Sequence, residues 1–197
     1  MAHHVRDTRQ TPRVVERDEP TRTTTLELVP SDPRWPQQFT EVRAVLLDVF
    51  GDDALRVEHI GSTAVPGLLA KPTIDVLVVV ADTDAALDRV PLLAEHGFDH
   101  RPSAWPDPAR HVFFQRVIDG RRTHHLHVVP DGSHEIDDYL AIRDYLRAHP
   151  AEVDAYGTQK LSLLRAHDGD RAAYVAAKPA FVEQLLARAT SWTEGRP

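Results

Sequence analysis

The sequence predicts an α+β fold, a mixed sheet of four or five strands backed by helices and closed by a C-terminal helical layer. Three observations predict it: an alternating apolar strand at Thr73 to Val80, a hairpin signal at Asp119-Gly120, and a helical pattern from Ser133 onward. Residues 1–25 come before all of these. They are polar, rich in Arg and Thr, without apolar period, and read as a disordered arm. Five arginines against four acids there do not make a basic nucleic-acid arm, and His3-His4 read equally as solvated tail or metal site.

Leu26 to Val29 alternates weakly before Pro30, which predicts a short edge strand. Asp32 and Pro33 predict a cap and first position for a helix whose stripe is Trp35, Phe39, Val42, Leu46 and Val49, ending before Gly51. Leu55 to Ile60 reads as a strand, Ala64 to Pro72 as a turn, and Thr73 to Val80 as a second strand with Ile74, Val76, Val78 and Val80 on its core face. Thr83 opens a helix that Pro91 bends or splits and Gly97 stops. Residues 101–110 read as a loop. His111 to Ile118 and Arg122 to Val129 form the hairpin, and helices follow over about 133–148, 151–167 and 170–190. The domain is placed at 26–190, with a tail at 191–197.

Composition narrows the function. The 197 residues include 12 histidines and no cysteine, and the net charge is −7. Thiolate zinc sites, disulfides and catalytic thiols are excluded. No stretch approaches the ~18 apolar residues of a membrane span, and the N-terminus lacks a signal-peptide core, so a cytoplasmic location is expected. The acidic balance argues against general duplex nucleic-acid binding but leaves room for a local nucleotide pocket.

The segment richest in chemistry is Val57-Glu58-His59-Ile60-Gly61-Ser62-Thr63-Ala64-Val65-Pro66-Gly67, then Lys71-Pro72, then Ile74-Asp75-Val76-Leu77. A strand entering Gly-Ser lets backbone amides and a hydroxyl approach a phosphate without a Cβ in the way. A carboxylate on the adjoining strand can hold the accompanying divalent cation. With Thr123-His124-His125-Leu126-His127, Arg143-Asp144-Tyr145-Leu146-Arg147, and Tyr174, Lys178 and Phe181, these segments resemble the GrpB-like family of the nucleotidyltransferase superfamily across about residues 26–190. The resemblance implies a nucleotidyltransferase-like sheet and a nucleotide pocket. It also implies Gly61, Ser62 and Thr63 at phosphate, and Asp75 at metal. The family occurs fused beside dephospho-coenzyme A kinase, which points to a coenzyme-A-related ligand as an alternative.

One departure from the superfamily pattern stands out. Side chains at i and i+2 of a strand share a face, which lets two carboxylates share metal ions, yet position 77 is Leu. His125 and His127 alternate onto one face about 7 Å apart along their strand. Strand parity across an even hairpin loop adds Arg116 to that face. The expected site is therefore Asp75, His125 and His127 as catalytic metal ligands, with Lys71 and Arg116 complementing phosphate charge. Asp with two imidazoles suits Mn²⁺, Fe²⁺ or Zn²⁺ better than the Mg²⁺ usual with a nucleoside triphosphate, an ion that prefers oxygen ligands. Glu58 reads as the missing acid or a solvated strand residue, His59 as a site or core histidine, and Arg143 as a phosphate contact or part of a charged helix face. Tyr174 and Phe181 read as core with Lys178 snorkelling past them, and Lys160 can reach a pocket. Three functions fit: nucleotidyl transfer, a degenerate module binding a nucleotide or phosphorylated metabolite, and a single-metal phosphohydrolase. The partner in each is a small molecule, and no preference among oligomeric states emerges.

Overall fold

In the computed structural model, residues 27–195 are described except 105, 106, 108 and 169. The arm at 1–25 and Leu26 lie outside the described residues. The sheet has order β1-β2-β5-β4-β3. β1 (Arg56–Ile60) pairs antiparallel with β2 (Ile74–Val80), β2 pairs parallel with β5 (Arg121–Pro130), and β4 (Val112–Ile118) and β3 (Phe98–His100) continue antiparallel.

The first helix, α1 (Trp35–Phe50), begins two residues later than Asp32-Pro33 predicts. The Asp32 carboxylate caps the preceding turn instead, accepting from the Arg34 backbone N–H at 2.9 Å. The edge strand expected at 26–29 reduces to a single bridge, Val29 with Ala70. Pro91 splits the next helical stretch as expected, into α2 (Asp84–Asp88) and α3 (Val90–Glu95). β3 was not anticipated, because three residues are too short for an alternation to register. The Asp119-Gly120 turn has both residues at positive φ, the conformation that matches the twist of the flanking strands.

Both faces of the sheet are buried. Ile74, Val76, Val78 and Val80 pack with Trp35, Val42, Leu46 and Phe50 of α1 and with Leu93 of α3. The opposite face sets Leu77, Val79 and Val129 under Ile136 of α4 (His134–Ala148). A strand with neighbours on both edges and helices on both faces has no polar side to present, so its pattern is continuous rather than alternating. α5 (Pro150–Ala166) and α6 (Arg171–Glu194) complete a second core around Leu68, Tyr145, Val153, Phe181 and Leu185. α6 runs past Thr190 into the expected tail, and Trp192 packs edge-on to Tyr145 at 5.9 Å.

Candidate metal and phosphate site

The two central strands bring the predicted ligands together. Parallel pairing sets Asp75 opposite His125 and Leu77 opposite His127, so Asp75, His125 and His127 share the α4 side of the sheet. One ligating atom from each of the three lies within 4.8 Å of the others. His125 Nδ1 donates to Asp75 Oδ1 at 2.9 Å, since an ionised carboxylate only accepts. His111 Nε2 meets His127 Nδ1 at 3.0 Å and orients that ring from behind. Burial pushes the His127 imidazole down to about 3, so it stands neutral near pH 7, the form a metal requires. Burial would raise Asp75, but the His125 hydrogen bond and the positive charge around it, Lys178 included, outweigh it and hold the carboxyl below its ordinary value.

Gly61 explains how close this carboxylate comes to the turn. A Cβ at position 61 would collide with Asp75 Oδ2 and lie 3.0 Å from both Asp75 Cβ and Cγ, and the backbone there has φ +69°. Glycine is thus required twice over, by conformation and by space. The sequence suggests approach of backbone to phosphate as the reason for this glycine; the reason seen in the structure is approach of a carboxylate to the backbone.

Ser62, Lys71, Asp75 and His125 line one cleft of about 190 Å³ together with Lys160, Tyr174 and Lys178. Lys160 is 2 % exposed. Its Nζ donates to Ser62 Oγ at 2.6 Å and Leu69 O at 2.9 Å and lies 4.5 Å from the Tyr156 ring centre. Burial, reinforced by the charge of Lys178, lowers the Lys160 amine to about 7. Sequence reasoning left Lys160 and Lys178 out of the site, although two signals mark them. Lys160 continues the buried stripe Val153, Tyr156 at spacings of three and four. And the chain's 23 basic residues include three lysines only, Lys71, Lys160 and Lys178, all on this cleft.

Other candidates fall elsewhere. Arg116 is a correction: it pairs with His124, not with Thr123, because a register shift between Arg116 and Val117 inserts one extra β5 residue. That shift turns Arg116 to the opposite face, where its guanidinium lies over the Phe98 ring at 5.9 Å. His59 is a core histidine, stacked on Phe39 at 4.7 Å and bonded through Nε2 to Thr63 Oγ1 at 3.0 Å. Thr63 in turn donates to Thr73 O at 3.1 Å, so its hydroxyl braces the turn and is not offered to a phosphate. Glu58 accepts from Arg143 Nη1 at 2.8 Å, and Arg143 also bonds His59 O and Asp144. Both are thereby committed to tying α4 to β1. Leu77 is fully buried beneath α4, so packing occupies the place of a second carboxylate.

The mixed sheet, with its Gly-Ser turn beside an Asp on the neighbouring strand, has the fold of the nucleotidyltransferases. The structure of Cid1 in complex with its short product ApU shares that fold at a TM-score of 0.50 and 14% identity, over 70% of this chain and 43% of that one. The chain belongs to the GrpB protein family, whose sequence model matches residues 25–188. The conserved protein GrpB from Enterococcus faecalis superposes at a TM-score of 0.78 with 32% identity, covering 85% of this chain and 99% of that one. A UPF0157 protein of Halalkalibacterium halodurans is 39% identical over 84% of this chain and 83% of its own length. Among the described residues no helix is long and apolar enough to cross a membrane.

Proposed function

We propose that this protein binds a nucleoside triphosphate together with one divalent cation and transfers the nucleotidyl group to an acceptor hydroxyl. The observation that carries the reading is the convergence of Asp75, His125 and His127 beside a cleft lined by Ser62, Lys71, Lys160 and Lys178. The donors fit a cation: one carboxylate held ionised, a neutral buried imidazole, and a histidine behind it fixing its orientation. Carboxylate with two imidazoles favours Mn²⁺, Fe²⁺ or Zn²⁺ over Mg²⁺. When bound, such an ion supplies Lewis-acid polarisation of a phosphoryl oxygen.

The chain's own residues do the rest. Ser62 and the three lysines offset phosphate charge and fix the polyphosphate against the turn. The acceptor hydroxyl forms a bond to the α-phosphorus and loses its proton to solvent. The bond from that phosphorus to the bridging oxygen breaks, and pyrophosphate leaves with the oxygen. Leu77 restricts the site to one ion, and this favours a second reading, a module that binds the nucleotide without turnover.

Calorimetry with Mn²⁺ and each of the four common ribonucleoside triphosphates, paired with an assay of pyrophosphate release, separates these readings. Wild-type protein is expected to bind and release. Asp75→Asn is expected to lose at least tenfold in Mn²⁺ affinity, and an unchanged affinity refutes the ligand assignment. Tight binding with no release across the panel supports the module.

A further inference from the structure

Lysine is rare in this chain and confined to one place. Three of 23 basic residues are lysine, and Lys71, Lys160 and Lys178 all line the same cleft. Elsewhere arginine serves, as in the ion pairs of Arg34 with Asp32, Arg89 with Asp53 and Arg188 with Glu152. The two side chains differ in one property that matters inside a cleft: a guanidinium stays protonated at every physiological pH, whereas a desolvated ammonium can release its proton and regain it.

Lys160 has the surroundings for such release. Its two hydrogen-bond partners, Ser62 Oγ and Leu69 O, are neutral oxygens. The charged and titratable groups facing it are Lys178 from α6, Asp75 from β2 and Tyr156 from its own helix, with Lys71, His125 and Tyr174 on the same cleft. Lys178 opposes a second positive charge there, and Asp75 acts only at a distance. We propose that above neutral pH the cleft takes up its polyphosphate ligand together with a proton, which Lys160 Nζ accepts, so that in that range all three ammonium groups are charged only with the anion in place. The proposal rests on the reading of the cleft as a phosphate site and adds to it a coupling between ligand and pH.

Sign and window follow from the depressed amine, which burial and Lys178 bring to about 7. Below pH 7 Lys160 is already charged and binding takes up no proton. Above pH 7 it is neutral until an anion raises its affinity for the proton, so affinity falls with rising pH by up to about tenfold per unit until the bound-state value is passed.

Tripolyphosphate without metal is the probe, titrated calorimetrically into the full chain at pH 6.0, 7.0 and 8.5 in buffers of low and high ionisation enthalpy. Lys160→Arg, which keeps the charge and cannot release it, corrects for protons exchanged by the ligand itself. Wild-type protein is expected to take up 0.5 to 1 proton more than Lys160→Arg at pH 8.5 (roughly one titrating site) and none more at pH 6.0. Equal uptake by the two proteins overturns the proposal, as does failure of tripolyphosphate to bind.

Should Lys160→Arg not fold, ¹³C-lysine spectra of the wild type replace it. Of three Cε titrations, that of Lys160 is expected to have its midpoint near neutrality and to move up with tripolyphosphate, and a midpoint that stays put refutes the coupling. Loss of Mn²⁺ binding with intact proton uptake would overturn nucleotidyl transfer alone. Manganese-dependent pyrophosphate release without proton uptake would overturn this inference alone.

Discussion

At the scale of single residues, Gly61 offers the sharpest expectation. Gly61→Ala places a methyl against the Asp75 carboxylate in a backbone conformation that L-residues rarely adopt. The cost is expected to be about 1–3 kcal/mol by thermal or urea unfolding. Because the clash displaces Asp75, Mn²⁺ affinity is expected to fall at least tenfold even where the variant is folded, and a variant with native affinity would show that the carboxylate can move aside. The Gly-Ser turn, Asp75 and the paired histidines were legible because glycine, alternation and residue type are written locally. Arg116 was not. One extra residue in β5 reverses its face, and nothing in the alternation of Arg122 to Val129 announces where a bulge falls.

At the scale of elements, α6 is divided by Pro179. Tyr174, Val175 and Lys178 on its first half line the cleft, while Phe181, Leu185 and Ala189 on its second half belong to the core. Proline deletes the hydrogen bond to the carbonyl four residues back and costs about 3 kcal/mol in an unconstrained helix. Pro179→Ala is therefore expected to raise stability by about 1–2 kcal/mol in urea titrations and to slow amide exchange over 174–178. Lower stability in the variant would mean that the ring's own packing outweighs the missing bond. The tie between α4 and β1 is the second expectation at this scale. Arg143→Met removes the closer of two arginine partners of the half-buried Glu58, the other being Arg56 at 3.4 Å, and leaves His59 O without its side-chain donor, for a loss of about 1–3 kcal/mol. Helix spacing indicated that Arg143 lies on a charged face, but whether that face meets solvent or a strand depends on contacts 85 residues away in sequence.

For the molecule as a whole, the histidines set the acid limit. Burial pushes His59, His111 and His124 down to about 4 each. Between the ordinary value near 6.5 and 4 the unfolded chain binds protons that the folded chain refuses. Stability contributed by these groups is thus complete above about pH 6.5 and lost as pH falls toward 4. His59 alone accounts for roughly 3 kcal/mol at ~1.4 kcal/mol per unit, a large share of a typical 5–15 kcal/mol. Acid unfolding followed by circular dichroism is expected to have its midpoint inside that window, and His59→Gln to move it to lower pH; an unmoved midpoint would assign acid sensitivity to other groups. The fold class was legible at this scale because the hairpin, the central strand and the helical C-terminal half each carry strong patterns. Burial on both sides of β2 was less so, since Leu77 reads as a lost ligand until α4 is seen above it.

The confinement of lysine to one cleft has a practical side. An amine-acylating reagent meets no lysine anywhere else on this protein, so the extent of side-chain labelling becomes a gauge of whether the cleft is filled. Occupancy can then be followed by mass alone, with no chromophore, no catalytic turnover and no knowledge of the natural ligand.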